Sequence, residues 1–402
     1  DITSASGKVL IEKDTIIELK TTDESGWIHF IADLPIRAKY YLKEIYAPDG
    51  YVRATETQEF TFEYQGDKTT QAVYEFTFED VQTSVELSKA DLTDGKELPG
   101  ASLQVLDSTG TVVEEWISTE EPHMIRGLLV GETYILVETK PADGYTTAES
   151  IEFKVEDTAE VQKHQMLDDV TKVEISKTDM TDSKEVPGAK LTILDKDGKV
   201  VESWVSDKDP HMVEKLPVGT YTLREEQAPD GYLVAEEVSF EVKDTGEIQK
   251  VEMKDARPVG KLVLKKTDAE DGSPLAGAEF ELRIKKSGKV VATLVTDEEG
   301  AATSGDIPIA TYKDGKMKKE IEYILVETKA PDGYVRSEKE ESIVFTYQDD
   351  KTKEIEITKE LTNERIATGD YVKAPKTGDD TNIWLPILLL VLSVGGIAGI
   401  FW

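Results

Sequence analysis

The stretch Tyr221-Thr222-Leu223-Arg224-Glu225-Glu226-Gln227-Ala228-Pro229-Asp230-Gly231-Tyr232 decides the fold of this chain, because close copies of it occur four times. The other copies end at Tyr51, Tyr145 and Tyr334, and each follows a segment of the form Tyr-x-Leu-x-Glu. We expect that segment to be a β-strand. The Pro-Asp-Gly after it combines a fixed φ at proline with a free φ at glycine, so the chain turns sharply there. The sequence therefore predicts one strand-and-turn unit repeated four times.

A second motif, Lys-x-Asp, opens three of the units, and it sets their length. Its aspartates are Asp91, Asp179 and Asp268, spaced 88 and 89 residues apart. This constancy predicts tandem domains. The four predicted domains, called modules 1 to 4 below, comprise residues 1–81, 82–170, 171–257 and 258–364. They are followed by a predicted linker that contains the sorting signal, residues 365–382, and by a predicted membrane-spanning segment, residues 383–402.

The local patterns within each unit indicate β-structure. Apolar and polar residues alternate in Val173-x-Ile175, which gives one buried and one wet face. Asp197-Gly198 lies between Leu191–Leu194 and Val200–Val205, and this arrangement is a strong hairpin signal. No segment before the C-terminal apolar run has a helical period. We therefore predict an all-β chain of small tandem β-sandwiches followed by one C-terminal transmembrane helix.

Composition excludes several classes of protein. The formal net charge is −34, so the phosphate backbone of a nucleic acid would be repelled. The chain has no cysteine, which argues against a disulfide-stabilised extracellular protein and for a cytosolic or Gram-positive exported one. Stability outside a cell would then have to come from something other than disulfides.

The C-terminus resembles the cell-wall sorting signal of Gram-positive surface proteins. The pentapeptide Ala374-Pro375-Lys376-Thr377-Gly378 precedes the uncharged run Ile383–Trp402, which is long enough to span a bilayer as a helix. The resemblance implies that a sortase attacks the carbonyl of Thr377, cleaves before Gly378 and attaches the protein to peptidoglycan. It implies a secreted, wall-anchored product with a membrane-inserted precursor. Ala374 stands where leucine is usual, which leaves the sortase class open.

The beginning of the chain predicts a truncated first module. No signal peptide is visible, and Gly7-Lys8-Val9 aligns with Gly288-Lys289-Val290, so about a third of module 1 would lie upstream of Asp1. We expect residues 1–81 not to form a complete sandwich.

Over residues 1–364 the units resemble the collagen-adhesin B-type (SpaA-like, prealbumin-like) domains of Gram-positive pilins and adhesins. The motifs that carry the resemblance are Lys-x-Asp, the strand and turn quoted above, and three Pro-Gly-Ala-like segments, Leu98–Ala101, Val186–Ala189 and Leu275–Ala278. The resemblance implies prealbumin-like or Ig-like sandwiches, each closed by a spontaneous isopeptide bond. It assigns the lysines Lys89, Lys177 and Lys266, the assisting carboxyls Glu138, Glu225 and Glu327, and the acceptors Asp168, Asp255 and Asn363. Module 1 retains Glu44 and the candidate acceptor Asp80 without a lysine, so no bond is expected there.

The implied chemistry has a physical basis. Burial disfavours the charged form of lysine and lowers its pKa, which frees a nucleophilic amine. Burial also raises the pKa of glutamate, so that a neutral carboxyl can bind the acceptor carbonyl and move protons. The alternative is that the lysines are exposed and the glutamates only cap a turn. Asp169 and Asp244 are alternative acceptors near Asp168 and Asp255.

Other chemistry has little support in the sequence. His123 and His211 recur in Pro-His-Met strings one module apart, so we interpret them as parts of a repeated loop and predict no metal site. Trp116 and Trp204 are predicted core residues. No phosphate loop, nucleophile elbow or zinc motif occurs, and we predict no cofactor and no enzymatic activity.

Three functions remain open at this stage. The first is a structural stalk of a surface protein or pilin, with sortase, peptidoglycan and possible further pilin subunits as partners. The second is an adhesin whose domains bind a host matrix protein directly. In the third, the domains are a spacer for an enzyme encoded upstream.

Overall fold

The computed structural model describes residues 1–367. The sorting pentapeptide and the membrane-spanning segment predicted from the sequence lie outside these residues. The chain divides into two compact units, and the first comprises Asp1–Pro258 with Tyr312–Lys319 and Gln348–Lys353. The second comprises Val259–Thr311, Glu320–Tyr347 and the described residues from Glu354 to 367.

Module 1 contains short strands that pair only two by two. Its strands are β1 (Ile2–Thr3), β2 (Val9–Ile11), β3 (Lys39–Lys43), β4 (Tyr51–Val52), β5 (Thr57–Thr61) and β6 (Val81–Gln82). The antiparallel pairs are β1 with β2, β3 with β5, and β4 with β6. Residues 62–80 form no strand. Within residues 1–81, therefore, no sheet exceeds two strands.

Modules 2 and 3 have the same seven-stranded arrangement. The strands of module 2 are β7 (Ser84–Asp91), β8 (Ser102–Leu106), β9 (Val112–Ile117), β10 (His123–Arg126), β11 (Thr133–Lys140), β12 (Ile151–Lys154) and β13 (Gln162–Asp168). Those of module 3 are β14 (Lys172–Asp179), β15 (Lys190–Leu194), β16 (Val200–Val205), β17 (His211–Glu214), β18 (Gly219–Gln227), β19 (Val238–Val242) and β20 (Ile248–Asp255). The hairpin predicted around Asp197-Gly198 connects β15 to β16.

Each of these modules is a sandwich of a three-stranded and a four-stranded sheet. In module 2 the strand orders are β10-β7-β13 and β12-β11-β8-β9, and in module 3 they are β17-β14-β20 and β16-β15-β18-β19. The first and last strands of a module are neighbours and run parallel, whereas the other pairs are antiparallel. The beginning and the end of each module therefore lie side by side in one sheet.

The core of module 2 lies between its two sheets. Leu87 and Met166 contribute to it from the three-stranded sheet, and Leu103, Leu136 and Phe153 contribute from the four-stranded sheet; each is at most 4% exposed. Burial of side chains of this size stabilises the fold by roughly 1.5–3 kcal/mol each. The predicted alternation of buried and exposed residues is thus the pattern that closes the sandwich.

Module 4 keeps this plan with additional strands. Its strands are β21 (Val259–Asp268), β22 (Glu279–Ile284), β23 (Val290–Val295), β24 (Ala301–Thr303), β25 (Ile307–Pro308), β26 (Ala310–Lys313), β27 (Lys316–Glu320), β28 (Glu322–Lys329), β29 (Glu341–Val344) and β30 (Glu354–Asn363). The strand β21 pairs with β24, β25 and, in parallel, β30, and the second sheet has the order β23-β22-β28-β29. The prediction of an all-β architecture is confirmed over residues 1–367, where no helix occurs. Among these residues no helix is long and apolar enough to cross a membrane.

Candidate functional site

Each complete module buries a lysine near the end of its first strand. In β7 the side chains of Val85, Leu87 and Lys89 point to the same face, so the alternation that buries the first two also buries the third. The equivalent residues Lys177 and Lys266 occupy the same position in β14 and β21. The exposed fraction is 2% for Lys89 and 1% for the other two. Fully buried lysines are rare, and a charged amine is costly to bury without a partner.

The predicted acceptors lie on the neighbouring last strand. In the parallel ladder between β7 and β13, Asp168 pairs with Asp91, two residues beyond Lys89. Asp255 pairs with Asp179, and Asn363 pairs with Asp268. All three acceptors are buried. The sheet register alone therefore brings the end of the last strand within reach of the lysine side chain.

The glutamates come from the opposite sheet. In β11 the residues Tyr134, Leu136 and Glu138 face the core in alternation, which places the carboxyl over the lysine. The backbone N–H of Ala148 donates to Oε2 of Glu138 at 2.7 Å, and the same bond joins Ala235 to Glu225. The chain that follows the Asp-Gly turn thus fixes the orientation of the carboxyl.

In modules 2 and 3 the three side chains are in contact. The Nζ of Lys89 lies 2.9 Å from Oε1 of Glu138 and is also in contact with Oδ1 of Asp168. The Nζ of Lys177 lies 3.1 Å from Oε2 of Glu225 and makes the same close contact with Asp255. One amine thus faces two carboxyls in a space closed to solvent.

Module 4 has an amide in place of the acceptor carboxyl. The Nζ of Lys266 lies 3.3 Å from Oε1 of Glu327, and Nδ2 of Asn363 donates to Oε2 of the same glutamate at 3.0 Å. Nδ2 also donates to the backbone oxygen of Val335 at 2.6 Å. Glu327 therefore bridges the amine and the amide.

Burial controls the electrostatics of these groups. It raises the pKa of Asp168 and of Asp255 to about 7, although the neighbouring lysine acts in the opposite direction. Burial also lowers the pKa of Lys266. The lowered pKa favours the neutral amine of Lys266, and the raised pKa values favour the protonated carboxyls of Asp168 and Asp255.

The alternative acceptors do not reach a buried lysine. Asp169 accepts hydrogen bonds from Lys172 at 2.9 Å, and Asp244 accepts from the backbone N–H of Thr147 at 2.8 Å.

Module 1 retains the glutamate in an equivalent position. The backbone N–H of Ala54 donates to Glu44 at 2.6 Å, which is the equivalent of the bond that positions Glu138. Burial and the proximity of Asp80 act to raise the pKa of Glu44.

The tryptophan and histidine pairs join the two sheets of a module. Trp116 on β9 stacks on His123 of β10 with ring centroids 4.3 Å apart, and Trp204 stacks on His211 at 4.4 Å. Both tryptophans pack on the edge of the core. The histidines begin strands rather than lying in a loop, because β10 and β17 continue the sheet beside the first strand. That part of the sequence interpretation was wrong.

Sequence reasoning missed a further set of residues next to the lysines. The aspartate of each Lys-x-Asp is buried and binds a tyrosine hydroxyl and a cation. The cations are Lys215, Arg257 and Arg365. A signal was present for two of them, because each arginine follows the acceptor by two residues in Asp255-Ala256-Arg257 and Asn363-Glu364-Arg365.

Known proteins match this chain at the level of a domain family. The family model described as the SpaA prealbumin-like fold domain matches residues 1–75, 83–169, 171–257 and 260–361. No curated protein matches the chain.

Several solved structures are similar to parts of the chain. The Bacillus anthracis TIE protein is 25% identical, with a TM-score of 0.47, and the match covers 78% of this chain and 55% of that protein. This chain therefore spans about half the length of that protein. BcpA, the major pilin subunit of Bacillus cereus, is 18% identical with a TM-score of 0.41, covering 71% of this chain and 99% of BcpA. A Streptococcal ancillary pilin is 15% identical with a TM-score of 0.29, covering 71% and 99%.

Proposed function

The chain belongs to the SpaA family of prealbumin-like fold domains, and on that premise we propose that it is a structural stalk of a cell-wall-anchored surface protein or pilin. Its complete modules would each be locked by an intramolecular isopeptide bond. One observation supports the proposal most strongly. A lysine on the first strand, a glutamate on the facing sheet and an acceptor on the last strand lie together in the buried interior of each complete module. The bonds would be Lys89–Asp168, Lys177–Asp255 and Lys266–Asn363.

The reaction needs only groups that the module holds. The neutral lysine Nζ attacks the side-chain carbonyl carbon of the acceptor, and a new N–C bond forms as the C=O electron pair moves to oxygen. The glutamate takes a proton from the nitrogen and delivers it to the leaving group. The C–O bond of aspartic acid, or the C–N bond of asparagine, then breaks, and water or ammonia departs. Folding supplies the proximity, which can be worth roughly 7–11 kcal/mol of the barrier.

The position of such bonds suits a protein under tension. Lys89 and Asp168 are 79 residues apart in sequence but lie on adjacent strands, with their side chains in contact. A force entering at the first strand and leaving at the last would pass through the cross-link, so most of the module would carry no load. Without disulfides, an amide bond also supplies the covalent constraint that extracellular proteins of this size commonly need.

Attachment to the wall is the second part of the proposal. Sortase would cleave between Thr377 and Gly378 and join Thr377 to peptidoglycan, with other pilin subunits as further partners. The residues concerned lie outside the described part of the chain, so this step rests on the sequence pattern. Incubating the chain with purified sortases and a glycine-based amine tests it, with Thr377→Ala as the control that should give no product.

Intact-mass measurement of the full chain, in detergent because of its apolar C-terminal run, tests the bonds. The expected mass is that of the sequence less two waters and one ammonia, one loss for each complete module. Peptide mapping should then place the three cross-links. A mass equal to that of the uncross-linked sequence contradicts the proposal.

An adhesin remains the second candidate, since the edge strand β9 exposes Val113 and Ile117. Such a function would require direct binding of a host matrix protein by the modules. A solid-phase binding screen with the full chain distinguishes the two, because a stalk without ligand binding would give no signal.

A further inference from the structure

The aspartate two residues after each buried lysine belongs to a group of side chains that recurs in modules 2 to 4 and that we call the register clamp. It consists of that aspartate, the tyrosine after the Asp-Gly turn and one cation. The three clamps are Asp91–Tyr145–Lys215, Asp179–Tyr232–Arg257 and Asp268–Tyr334–Arg365. In each, the tyrosine hydroxyl donates to the aspartate Oδ2 at 2.7 Å.

In modules 3 and 4 the cation of the clamp comes from the chain just after the last strand and binds the aspartate at the end of the first strand. Nε of Arg257 donates to Asp179 at 2.7 Å, and Nε of Arg365 donates to Asp268 at 2.6 Å. Each arginine follows the acceptor by two residues, and each aspartate follows the lysine by two. An ion pair at that position opposes a slip of the last strand along the first, which would move the acceptor away from the amine.

Module 2 has the same aspartate and tyrosine but no arginine just after its last strand. The position two residues after Asp168 is Val170, which bridges to Tyr145. The cation comes instead from module 3, where Nζ of Lys215 lies 3.2 Å from Oδ2 of Asp91 and 2.6 Å from the hydroxyl of Tyr145. Both modules belong to the first compact unit.

The backbone at Lys215 has a conformation that is unusual for a lysine. Its φ is +62°, a left-handed value that is uncommon for a residue other than glycine and costs on the order of 1 kcal/mol. Lys215 N–H donates to the backbone oxygen of Thr171 at 3.0 Å, and the Thr171 hydroxyl donates to the oxygen of Leu216 at 2.6 Å. At the matching place facing module 1, Gly127 N–H donates to Thr83 O at 3.1 Å, and glycine offers no cation.

The pKa values of two adjacent carboxyls in module 2 are shifted in opposite directions. Burial acts to raise the pKa of Asp91, but hydrogen bonds from Tyr145, Thr93 and Lys215 outweigh it and lower the pKa to about 2. Burial raises the pKa of the register partner Asp168 to about 7. The clamp therefore holds the negative charge on the aspartate that does not react, which is the pattern expected where two carboxyls have different tasks.

We propose that the register clamp positions the acceptor strand for bond formation, and that module 3 supplies Lys215 as the cation of the module 2 clamp. Closure of the Lys89–Asp168 bond then depends on a folded and docked module 3, whereas module 3 is self-sufficient through Arg257. Lys215, Arg257 and Arg365 are positioning residues. The inference rests on the isopeptide chemistry proposed above.

The test follows both bonds in the same molecule. The full chain is made in a cell-free pulse with detergent, quenched in denaturant at successive times, and digested so that the Lys89–Asp168 and Lys177–Asp255 peptides can be quantified. Lys215→Met should slow the first bond about tenfold and leave the second unchanged, since small misplacement of reacting groups has effects of this order or larger. Arg257→Met should slow only the second.

Two further variants separate positioning from general destabilisation. Lys215→Arg keeps a cation and should restore the rate of the first bond. Lys208→Met removes an exposed lysine of the same module, with 78% of its side chain accessible, and should change neither rate. Equal rates of the first bond in the unaltered chain and in Lys215→Met would overturn the inference while leaving the proposed function intact. If neither bond forms in the unaltered chain, the proposed function itself fails.

Discussion

Modules 2 and 3 bury the same trio of lysine, glutamate and aspartate in the same register, but they obtain the neighbouring cation from different places. Module 3 uses Arg257, two residues beyond the end of its own last strand, whereas module 2 uses Lys215 of the next module. The two trios make similar contacts, with lysine-to-glutamate distances of 2.9 and 3.1 Å. The comparison teaches that a repeated domain can bury the same side chains as its neighbour and still take one contact from that neighbour.

Removing the lysines should have the largest effect on both modules. Lys89→Met and Lys177→Met each abolish one cross-link, and the corresponding module should lose about 4–5 kcal/mol if the bond acts like a disulfide closing a loop of similar length. Thermal unfolding and protease resistance of the full chain measure this. Lys163→Met, an exposed lysine on the last strand of module 2, is the matched control. If the two buried-lysine variants keep the stability of this control, the cross-links have no structural role.

Replacing the glutamates tests whether the two trios react by the same route. Glu138→Gln and Glu225→Gln retain hydrogen bonding but lose the carboxyl that moves the proton, so each should slow its own bond by about 10²–10⁴-fold. Peptide mapping over time reports both bonds. If Glu138→Gln slows the Lys89 bond while Glu225→Gln leaves the rate of the Lys177 bond unchanged, the two trios share a geometry but not a reaction route.

The pH dependence of bond formation should differ between modules 2 and 3, which have aspartate acceptors, and module 4, which has an asparagine. The acceptor aspartate must be protonated for water to leave, and its pKa is about 7. Deprotonation of the lysine is needed in all three modules, so the rates of the Lys89 and Lys177 bonds, each divided by the rate of the Lys266 bond, should fall as the pH rises above 7. The fall approaches tenfold per pH unit. Asn363 has no such proton to lose, and the Lys266 bond should lack this step. The pulse experiment at pH 6 to 9 provides the measurement, and parallel profiles in all modules would contradict the assignment.

Substitutions of two glycines test how tightly modules 2 and 3 pack at the junction where Lys215 contacts Asp91. Gly144 and Gly333 occupy equivalent turns with φ of +87° and +86°, so alanine has a similar backbone cost of about 1 kcal/mol at each. A Cβ at Gly144 would collide with the backbone of Lys215, whereas nothing lies within 4 Å of one at Gly333. Gly144→Ala should therefore cost about 1–3 kcal/mol more and should also slow the Lys89 bond. Equal thermal shifts for the two variants would show that the junction is not tightly packed.

Much of the site could be predicted from the sequence because it follows from alternation and repetition. Once β7 is placed as a strand, Val85 and Leu87 fix the face of Lys89, and Tyr134 and Leu136 do the same for Glu138. The clamp could not be predicted so easily, because Asp91 and Lys215 are 124 residues apart and belong to different modules. No local pattern connects them, and module 2 lacks the arginine that makes the relation visible in modules 3 and 4.

The sequence by itself determined the period of the modules, the strands and the face on which each buried lysine and glutamate lies, because hydrophobic alternation and turn chemistry act over a few residues. Only the tertiary structure decided which residue stands opposite which. The parallel register of β7 and β13 pairs Asp168 with Asp91, and the junction brings Lys215 to that aspartate. Those relations depend on long-range packing, where the separation along the chain carries no information about the distance in space.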